Sequence, residues 1–233
     1  MPAKPSPLLC ELHAHTTWSD GALSVRELVD LYGRRGFDVV AVTDHAPRAA
    51  REVHAATFDA YLSDLRAEAL RARELYDLLL VPGLELTYDD VDPLEAAHVV
   101  ALGLRSFVDV SIGLELALAA ARARGAGLVA AHPYSPGDLA LATRGTAAFG
   151  ARPGLARLVD RFELVSRHTF FPWVANAGHA VVATGDFHRL EHLAGWKTML
   201  PCEKSERAVV DYLRSARPAY LVRLEDDAER LAA

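Results

Sequence analysis

Apolar stretches of strand length alternate with amphipathic stretches of helix length along most of the chain. The strand-like segments are continuous apolar runs, which are typical of strands buried on both faces of a parallel sheet. They cover residues 7–13, 38–44, 78–86, 98–104, 127–132, 161–166, 180–186 and 219–224. The helix-like segments cover residues 24–36, 57–77, 112–124, 172–178 and 203–215. Repeated strand–helix units predict an α/β fold with a mainly parallel sheet, closed into a single TIM-like barrel domain over residues 1–233.

The alternation breaks between residues 87 and 96, where TYDDVDPLEA has no apolar periodicity and contains a proline. This stretch is too short for a crossover helix, so the strands on either side of it are predicted to be antiparallel. The first helix is well marked, because Ser24 is a predicted N-cap, Glu27 occupies the capping-box position and Gly36 follows as a stop. The last helix and strand, within residues 203–233, are expected to close the barrel.

Histidines and carboxylates gather at the ends of the predicted strands, which in a barrel open onto one face. The set comprises His13, His15, Asp20, His45, Glu85, His98, His132, His168, Asp186 and His188. His98 begins its strand, but an antiparallel partner brings that start to the same face. In an H-x-H sequence on a strand both imidazoles point to one side and can hold one ion. Each residue alone is more often a surface or hydrogen-bonded core residue, but the joint pattern predicts a metal centre.

A second metal motif overlaps the end of this pattern. His188, Glu191 and His192 form H-x-x-E-H, a zinc-protease signature that is carried on a helix. The segment before it is predicted to be a strand, and the motif leaves the H-x-H pair and Glu85 without a role. The protease interpretation is therefore disfavoured, and His192 is expected in a loop or helix beside the site.

Composition restricts the class of partner. The formal net charge of −6 and pI of about 5.9 argue against a nucleic-acid partner, which needs clustered Lys and Arg, but not against a small anionic substrate held by metal ions. Cys10 and Cys202 are far apart in the sequence and indicate no disulfide scaffold. No apolar run reaches the roughly 20 residues needed to span a bilayer, and no signal-peptide core is present. We expect a cytoplasmic enzyme with no membrane partner. The sequence does not determine its oligomeric state.

The ordered motifs HAH, SDG, TDH, GLE, HVVALG, AHP and GDFH resemble those of the polymerase and histidinol phosphatase (PHP) family of metal-dependent phosphoesterases. The resemblance covers residues 11–188 and implies a distorted seven-stranded (β/α)7 barrel that holds up to three ions. It implies that one ion is held by His13, His15, Glu85 and Asp186. A second ion would share Glu85 and be completed by His98 and His132, and a third would be held by Asp20, His45 and His188. The motifs are most similar to the branch of the family that acts on nucleotides and cyclic phosphates.

The expected cofactors are two to three divalent ions. Mixed imidazole and carboxylate ligands without thiolate favour Zn²⁺, Mn²⁺ or Fe²⁺. Ions that share a carboxylate can lower the pKa of a bridging water and clamp the attacking and leaving oxygens of a phosphate ester. The expected reaction is therefore hydrolysis, by a metal-bridging hydroxide, of a small phosphate ester such as a nucleotide, a cyclic phosphate, or a sugar or amino-alcohol phosphate.

Two residues that follow the strand at 161–166 are candidates for direct catalytic roles. Here ELVSRH departs from the family pattern E-V-x-N. Arg167 is a candidate phosphate contact, because a guanidinium fork matches phosphate. His168 is a candidate extra ligand, phosphate contact or acid that protonates the leaving oxygen. Three further arginines lie in segments that could reach the mouth of the barrel: Arg48, Arg144 and Arg152.

Other functions are open. An amidohydrolase that cleaves a C–N bond also begins with H-x-H, but its binuclear form commonly uses a carbamylated lysine, and this chain has no lysine between Lys4 and Lys197. A non-catalytic regulatory domain stapled by metal is a second alternative, although no ligand position is lost. A DNA exonuclease is a third, opposed by the acidic charge.

Overall fold

The computed structural model describes residues 6–46, 52–141 and 146–225. Within these ranges the strands are β1 (Leu8–Glu11), β2 (Val39–Val42), β3 (His45–Ala46), β4 (Leu79–Tyr88), β5 (Ala97–Leu102), β6 (Gly127–Ala131), β7 (Arg161–Ser166), β8 (Thr169–Phe170), β9 (Val181–Thr184), β10 (Gly195–Leu200) and β11 (Tyr220–Leu224). The α-helices are α1 (Val25–Arg34), α2 (Phe58–Tyr76), α3 (Leu114–Ala123), α4 (Ala148–Ala151), α5 (Pro172–Asn176) and α6 (Glu206–Leu213). Every predicted strand and helix has a counterpart, and β3, β8 and β10 are additional strands.

The strands form one curled sheet in the order β11-β10-β1-β2-β4-β5-β6-β7-β8, with β3 beside β4 and β9 beside β7. The pairs β1–β2, β2–β4, β6–β7 and β7–β9 are parallel. The pairs β4–β5, β5–β6, β1–β10 and β10–β11 are antiparallel. The predicted α/β, TIM-like architecture is confirmed, with the difference that the sheet is a half-barrel. Antiparallel pairing of β4 with β5 is confirmed, and it follows from the short connection between them.

The chain that leaves β1 lies beside the chain that leaves β9. We call this contact, between residues 12–15 and 185–188, the seam. One parallel bridge, Ala14 to Phe187, spans it. Its hydrogen bonds run from the His15 amide to the Phe187 carbonyl (2.8 Å) and from the Phe187 amide to the His13 carbonyl (3.0 Å). Backbone pairing across the seam is therefore sparse.

Apolar side chains are buried on both faces of the sheet. The helix α1 buries Val25, Leu28, Val29 and Tyr32, and its predicted capping box between Ser24 and Glu27 is present. On the other face, α6 packs near Gly127, which begins β6, and Gly103, which follows β5. Because β6 ends, and β5 begins, at the opposite edge of the sheet, α6 covers the end remote from His98 and His132. Among the described residues no helix is long and apolar enough to cross a membrane.

Candidate metal centre

The nine predicted metal ligands converge on one pocket. His13 and His15 follow β1, His45 begins β3, Glu85 lies in β4, His98 is the second residue of β5, His132 follows β6, and Asp186 and His188 follow β9. Asp20 reaches them from the loop before α1, where its Oδ1 lies 3.2 Å from His188 Nε2. The strand topology explains the convergence. The carboxyl ends of the parallel strands lie at one edge of the sheet, and the start of the antiparallel strand β5 lies at the same edge.

Four donor atoms form a tight group: His13 Nε2, His15 Nε2, Glu85 Oε2 and Asp186 Oδ1. The two imidazole nitrogens are 3.0 Å apart, each is 3.4 Å from Glu85 Oε2, and each is 3.5 Å from Asp186 Oδ1. Four donors bound tetrahedrally at about 2.1 Å from one ion would be separated by roughly 3.4 Å. The residues present therefore fit a cation among them.

Glu85 faces two sets of histidines with its two oxygens. Its Oε1 is 3.0 Å from His98 Nδ1 and 3.2 Å from His132 Nε2. Its Oε2, on the side of the H-x-H pair, is fully buried and receives no well-directed hydrogen bond in the described ranges, although His45 Nδ1 lies 2.8 Å away. A buried carboxylate oxygen that lacks a well-directed donor is costly. A cation would satisfy it, and the two-sided arrangement suits a carboxylate shared between two ions.

A third set of donors lies beside the first. Asp20 Oδ1 is 3.5 Å from His45 Nε2 and 3.8 Å from His15 Nδ1. In three groups the donor atoms all lie within 4.8 Å of one another: His15, Asp20, His45 and His188; His13, His15 and Asp186; and His45, Glu85 and His98. These groups overlap the three ligand sets expected from the resemblance, but they share His15 and His45 between sets.

Buried side chains that the sequence did not single out hold the imidazoles in place. His13 Nδ1 donates to Glu163 Oε1 (2.9 Å), which leaves Nε2 facing the donor group. His45 Nδ1 lies 2.7 Å from Thr87 Oγ1, and His132 Nδ1 lies 3.2 Å from Thr146 Oγ1. Such contacts fix the ring orientation and tautomer of ligating histidines. Glu163 is a polar residue inside the apolar run of β7, which is the one sequence signal that could have identified it.

The loop that carries Asp20 is anchored by Asp44. Asp44 accepts hydrogen bonds from the Thr16 amide (2.8 Å), the Thr16 hydroxyl (2.8 Å) and the Ser19 hydroxyl (2.6 Å). Gly21 completes the turn, because a Cβ there would lie 2.3 Å from the His15 carbonyl oxygen. The SDG motif therefore reflects close backbone packing as well as the placement of a carboxylate.

Proton affinities in the pocket are strongly shifted. Burial opposes the charge of Glu85, but His45 and His13 hold the pKa of its carboxyl well below its usual range. Burial also opposes the charge of His45, yet Glu85 and Asp20 raise its pKa to about 10. Burial dominates at His15 and lowers its pKa to about 3. The carboxylates thus attract protons to some rings, and a cation bound there would compete with those protons.

The pocket has a volume of about 450 Å³ and is lined beyond the donor cluster by Tyr134, Ser166, Arg167, Thr169 and Phe171. Arg167 donates from Nη2 to Asp186 Oδ2 (2.8 Å) and from Nε to the Asp186 carbonyl (3.1 Å). Of these five wall residues the sequence predicted only Arg167. The other four reach the pocket through the chain reversal after β7 and the loop after β6, which the pattern of apolar residues does not reveal.

The structure does not bring His168 to the cluster. Arg167 and His168 form the two-residue turn between β7 and β8, so successive side chains leave in different directions. His168 is exposed and does not line the pocket. Arg152 instead pairs with Glu95 and Glu115 on the surface. Arg48 and Arg144 lie outside the described residues.

Backbone strain is concentrated at the pocket. Of the four non-glycine residues with positive φ in the described part of the chain, His132 (29°), Arg167 (53°) and Asp186 (41°) line it, and the fourth, Asp77, ends α2. Strained residues persist where the surroundings enforce them, commonly at functional sites.

The H-x-x-E-H segment forms a single 3-10 turn, Leu190–His192, rather than an α-helix. His192 is buried, and its Nδ1 accepts a hydrogen bond from the His188 amide (3.1 Å). The two histidines therefore do not form a helical zinc pair, and His192 supports the backbone of His188.

Comparison with known proteins agrees with this geometry. A family model of the PHP domain matches residues 11–143, more than half of the 233 residues. The chain belongs to the PHP family. The DNA polymerase/3′-5′ exonuclease PolX of Bacillus subtilis (strain 168) is 30% identical over 103 residues. That match covers 41% of this chain and 18% of PolX, so this chain spans less than a fifth of the length of that relative.

Solved structures share the fold. A two-domain protein from Bacteroides vulgatus, described as containing a PHP-like metal-dependent phosphoesterase, superposes with a TM-score of 0.70 at 20% identity. The match covers 95% of this chain and 66% of that one. A candidate metal-dependent phosphoesterase from Bifidobacterium adolescentis gives a TM-score of 0.52 at 18% identity, covering 95% and 94% of the two chains. At these identities the likeness establishes the fold alone.

Proposed function

We propose that this protein is a metal-dependent phosphoesterase that hydrolyses a small anionic phosphate ester. The observation that carries the proposal is the group of four donor atoms 3.0–3.5 Å apart that includes the buried Glu85 Oε2. His13, His15, Glu85 and Asp186 would hold one divalent ion. Glu85 with His98 and His132 would hold a second, and Asp20, His45 and His188 a third.

Bound Zn²⁺, Mn²⁺ or Fe²⁺ would supply Lewis acidity, a water of lowered pKa and neutralisation of phosphate charge. The chain supplies the positions of the groups around them. Glu163 and Thr87 fix imidazole orientation, and Arg167 presents a guanidinium at the pocket wall beside Asp186. A guanidinium binds phosphate oxygens through paired N–H donors, so Arg167 is the proposed contact to the ester.

The same contact gives a test of substrate binding. Arg167→Lys retains the charge and loses the planar fork, so we expect a higher KM with a smaller change in kcat. Metal content measured on the same sample is the control, because Arg167 also pairs with Asp186. Unchanged KM in a fully metal-loaded variant would remove Arg167 from substrate binding.

The proposed reaction is tested by a phosphoester screen. Metal-free protein is reloaded separately with Mn²⁺, Zn²⁺ and Fe²⁺ and assayed on p-nitrophenyl phosphate, its bis-ester, nucleotides, cyclic phosphates and a single-stranded oligonucleotide. We expect metal-dependent hydrolysis of at least one small ester and its loss in His15→Ala. No turnover of any ester by metal-loaded protein would contradict the proposal and favour a regulatory role.

Amide hydrolysis is less compatible with the site. Lys197 is fully buried and paired with Glu11, and Lys204 pairs with Asp38 and Asp77 at the surface. Neither lysine in the described ranges lies in the pocket. In the proposed centre Glu85 would take the bridging role instead. Parallel assays of phosphate and ammonia release separate the two reactions.

A further inference from the structure

A buried ion pair lies at the seam. Glu11 and Lys197 are both fully buried, with Oε2 and Nζ 2.8 Å apart. The other carboxylate oxygen, Glu11 Oε1, accepts hydrogen bonds from the amides of Leu12 (3.1 Å), His13 (3.2 Å) and Gly185 (2.9 Å). One carboxylate therefore binds the backbone immediately before both ligand-bearing segments.

The ion pair also reaches the elements behind the site. The Tyr32 hydroxyl of α1 donates to Glu11 Oε2 (3.2 Å), and Lys197 Nζ donates to the His192 carbonyl (3.3 Å). His192 in turn accepts the His188 amide through Nδ1. A continuous set of hydrogen bonds thus runs from β10 to the backbone of a proposed ligand.

The backbone at the seam is shaped around this pair. A Cβ on Gly185 would lie 2.4 Å from Glu11 Oε2 and 2.5 Å from Lys197 Nζ, so only glycine permits this approach. A buried ion pair is weak evidence for stability, because apolar replacements are often as stable. The seam has a different need: one bridge with two backbone hydrogen bonds joins its two segments, so side-chain bonds can add to their alignment.

We propose that the Glu11–Lys197 pair is a positioning device that aligns His13 and His15 with Asp186 and His188 and thereby sets the cation affinity of the site. The inference rests on the proposed metal centre. Loss of groups that orient ligands typically changes metal affinity by about 10–100-fold. Neither residue lines the pocket, so the pair acts through the backbone.

The test compares Lys197→Met, Glu11→Gln and the charge-balanced double variant with wild-type protein. Co²⁺ affinity is measured by competition with a chelator, together with the visible spectrum of the Co²⁺-loaded protein. Hydrogen exchange of the His15 and Phe187 amides is followed in metal-free protein. Leu213→Ala, a core truncation in α6, is the control for a general loss of stability.

We expect at least a tenfold loss of Co²⁺ affinity, an altered spectrum and faster exchange at the seam in the single variants. Leu213→Ala should lower Tm and leave affinity and spectrum unchanged. If the single variants do not fold, Tyr32→Phe removes one hydrogen bond from Glu11 and should lower affinity by a smaller factor. Wild-type affinity and spectrum in the folded variants, or equal losses in Leu213→Ala, would overturn the proposal. If the wild-type protein binds no Co²⁺, the proposed function fails. Unchanged hydrogen-exchange rates of the His15 and Phe187 amides in the metal-free variants would overturn the positioning role by themselves.

Discussion

Glu163 offers the clearest way to separate the orientation of a ligand from its presence. Its carboxylate is fully buried and accepts from His13 Nδ1 (2.9 Å), the Thr184 hydroxyl (2.6 Å) and the His132 amide (2.6 Å). Glu163→Gln keeps the shape, but its amide NH₂ must face at least one of these donors. That mismatch leaves a buried donor unsatisfied, at a cost of about 1–3 kcal/mol.

The effect on metal binding should be of similar size. Two histidines of different proposed ion sites depend on Glu163, and loss of such a partner lowers affinity by about 10–100-fold, or roughly 1.4–2.7 kcal/mol. Isothermal titration of metal-free protein with Zn²⁺ measures this directly. The control is Glu115→Gln, a surface carboxylate that pairs with Arg152. Wild-type Zn²⁺ affinity in Glu163→Gln would refute the role assigned to this carboxylate.

Two further predictions concern stability. Arg161 is fully buried and donates to five backbone carbonyls, three of them in or just after α6. Arg161→Met should therefore lower the free energy of unfolding by at least about 3 kcal/mol. A denaturation midpoint equal to that of the wild type would show that these hydrogen bonds are dispensable. In metal-free protein the pKa of His45 is raised to about 10, whereas a histidine ordinarily has a pKa of 6.5. Protonated His45 therefore stabilises the fold, fully below pH 6.5, and this contribution to the free energy of unfolding is lost as the pH rises towards 10. Tm of the metal-free protein should therefore fall over that range more steeply than in His45→Gln, and parallel slopes would contradict the shift.

The sequence was informative about the site because strand ends are a topological property. Parallel strands share one edge, so His13, His45, His132 and Asp186 could be grouped without knowing any side-chain conformation. His98 was placed correctly because the connection after residue 86 is too short for a crossover. These inferences need only the order and direction of strands.

What the sequence could not give depends on local reversals and on buried polar groups. His168 lies outside the pocket lining, because the two-residue turn after β7 directs Arg167 inward and leaves His168 exposed. No continuous apolar pattern marks β10, because the buried Lys197 interrupts it, and that lysine is paired with Glu11. The role of Glu163 cannot be predicted from its neighbours in the sequence, because its hydrogen-bond partners come from three separate strand ends.

The central claim is that the clustered imidazoles and carboxylates bind cations. Elemental analysis of protein purified in Mn²⁺, Zn²⁺ or Fe²⁺ and dialysed against metal-free buffer tests it most directly, with Glu85→Ala beside the surface variant Glu115→Ala. We predict two to three divalent ions per chain in the wild type and the control, and a loss of at least one ion in Glu85→Ala while the circular dichroism spectrum is retained. Equal metal content in Glu85→Ala and wild type, or none in either, would contradict the account.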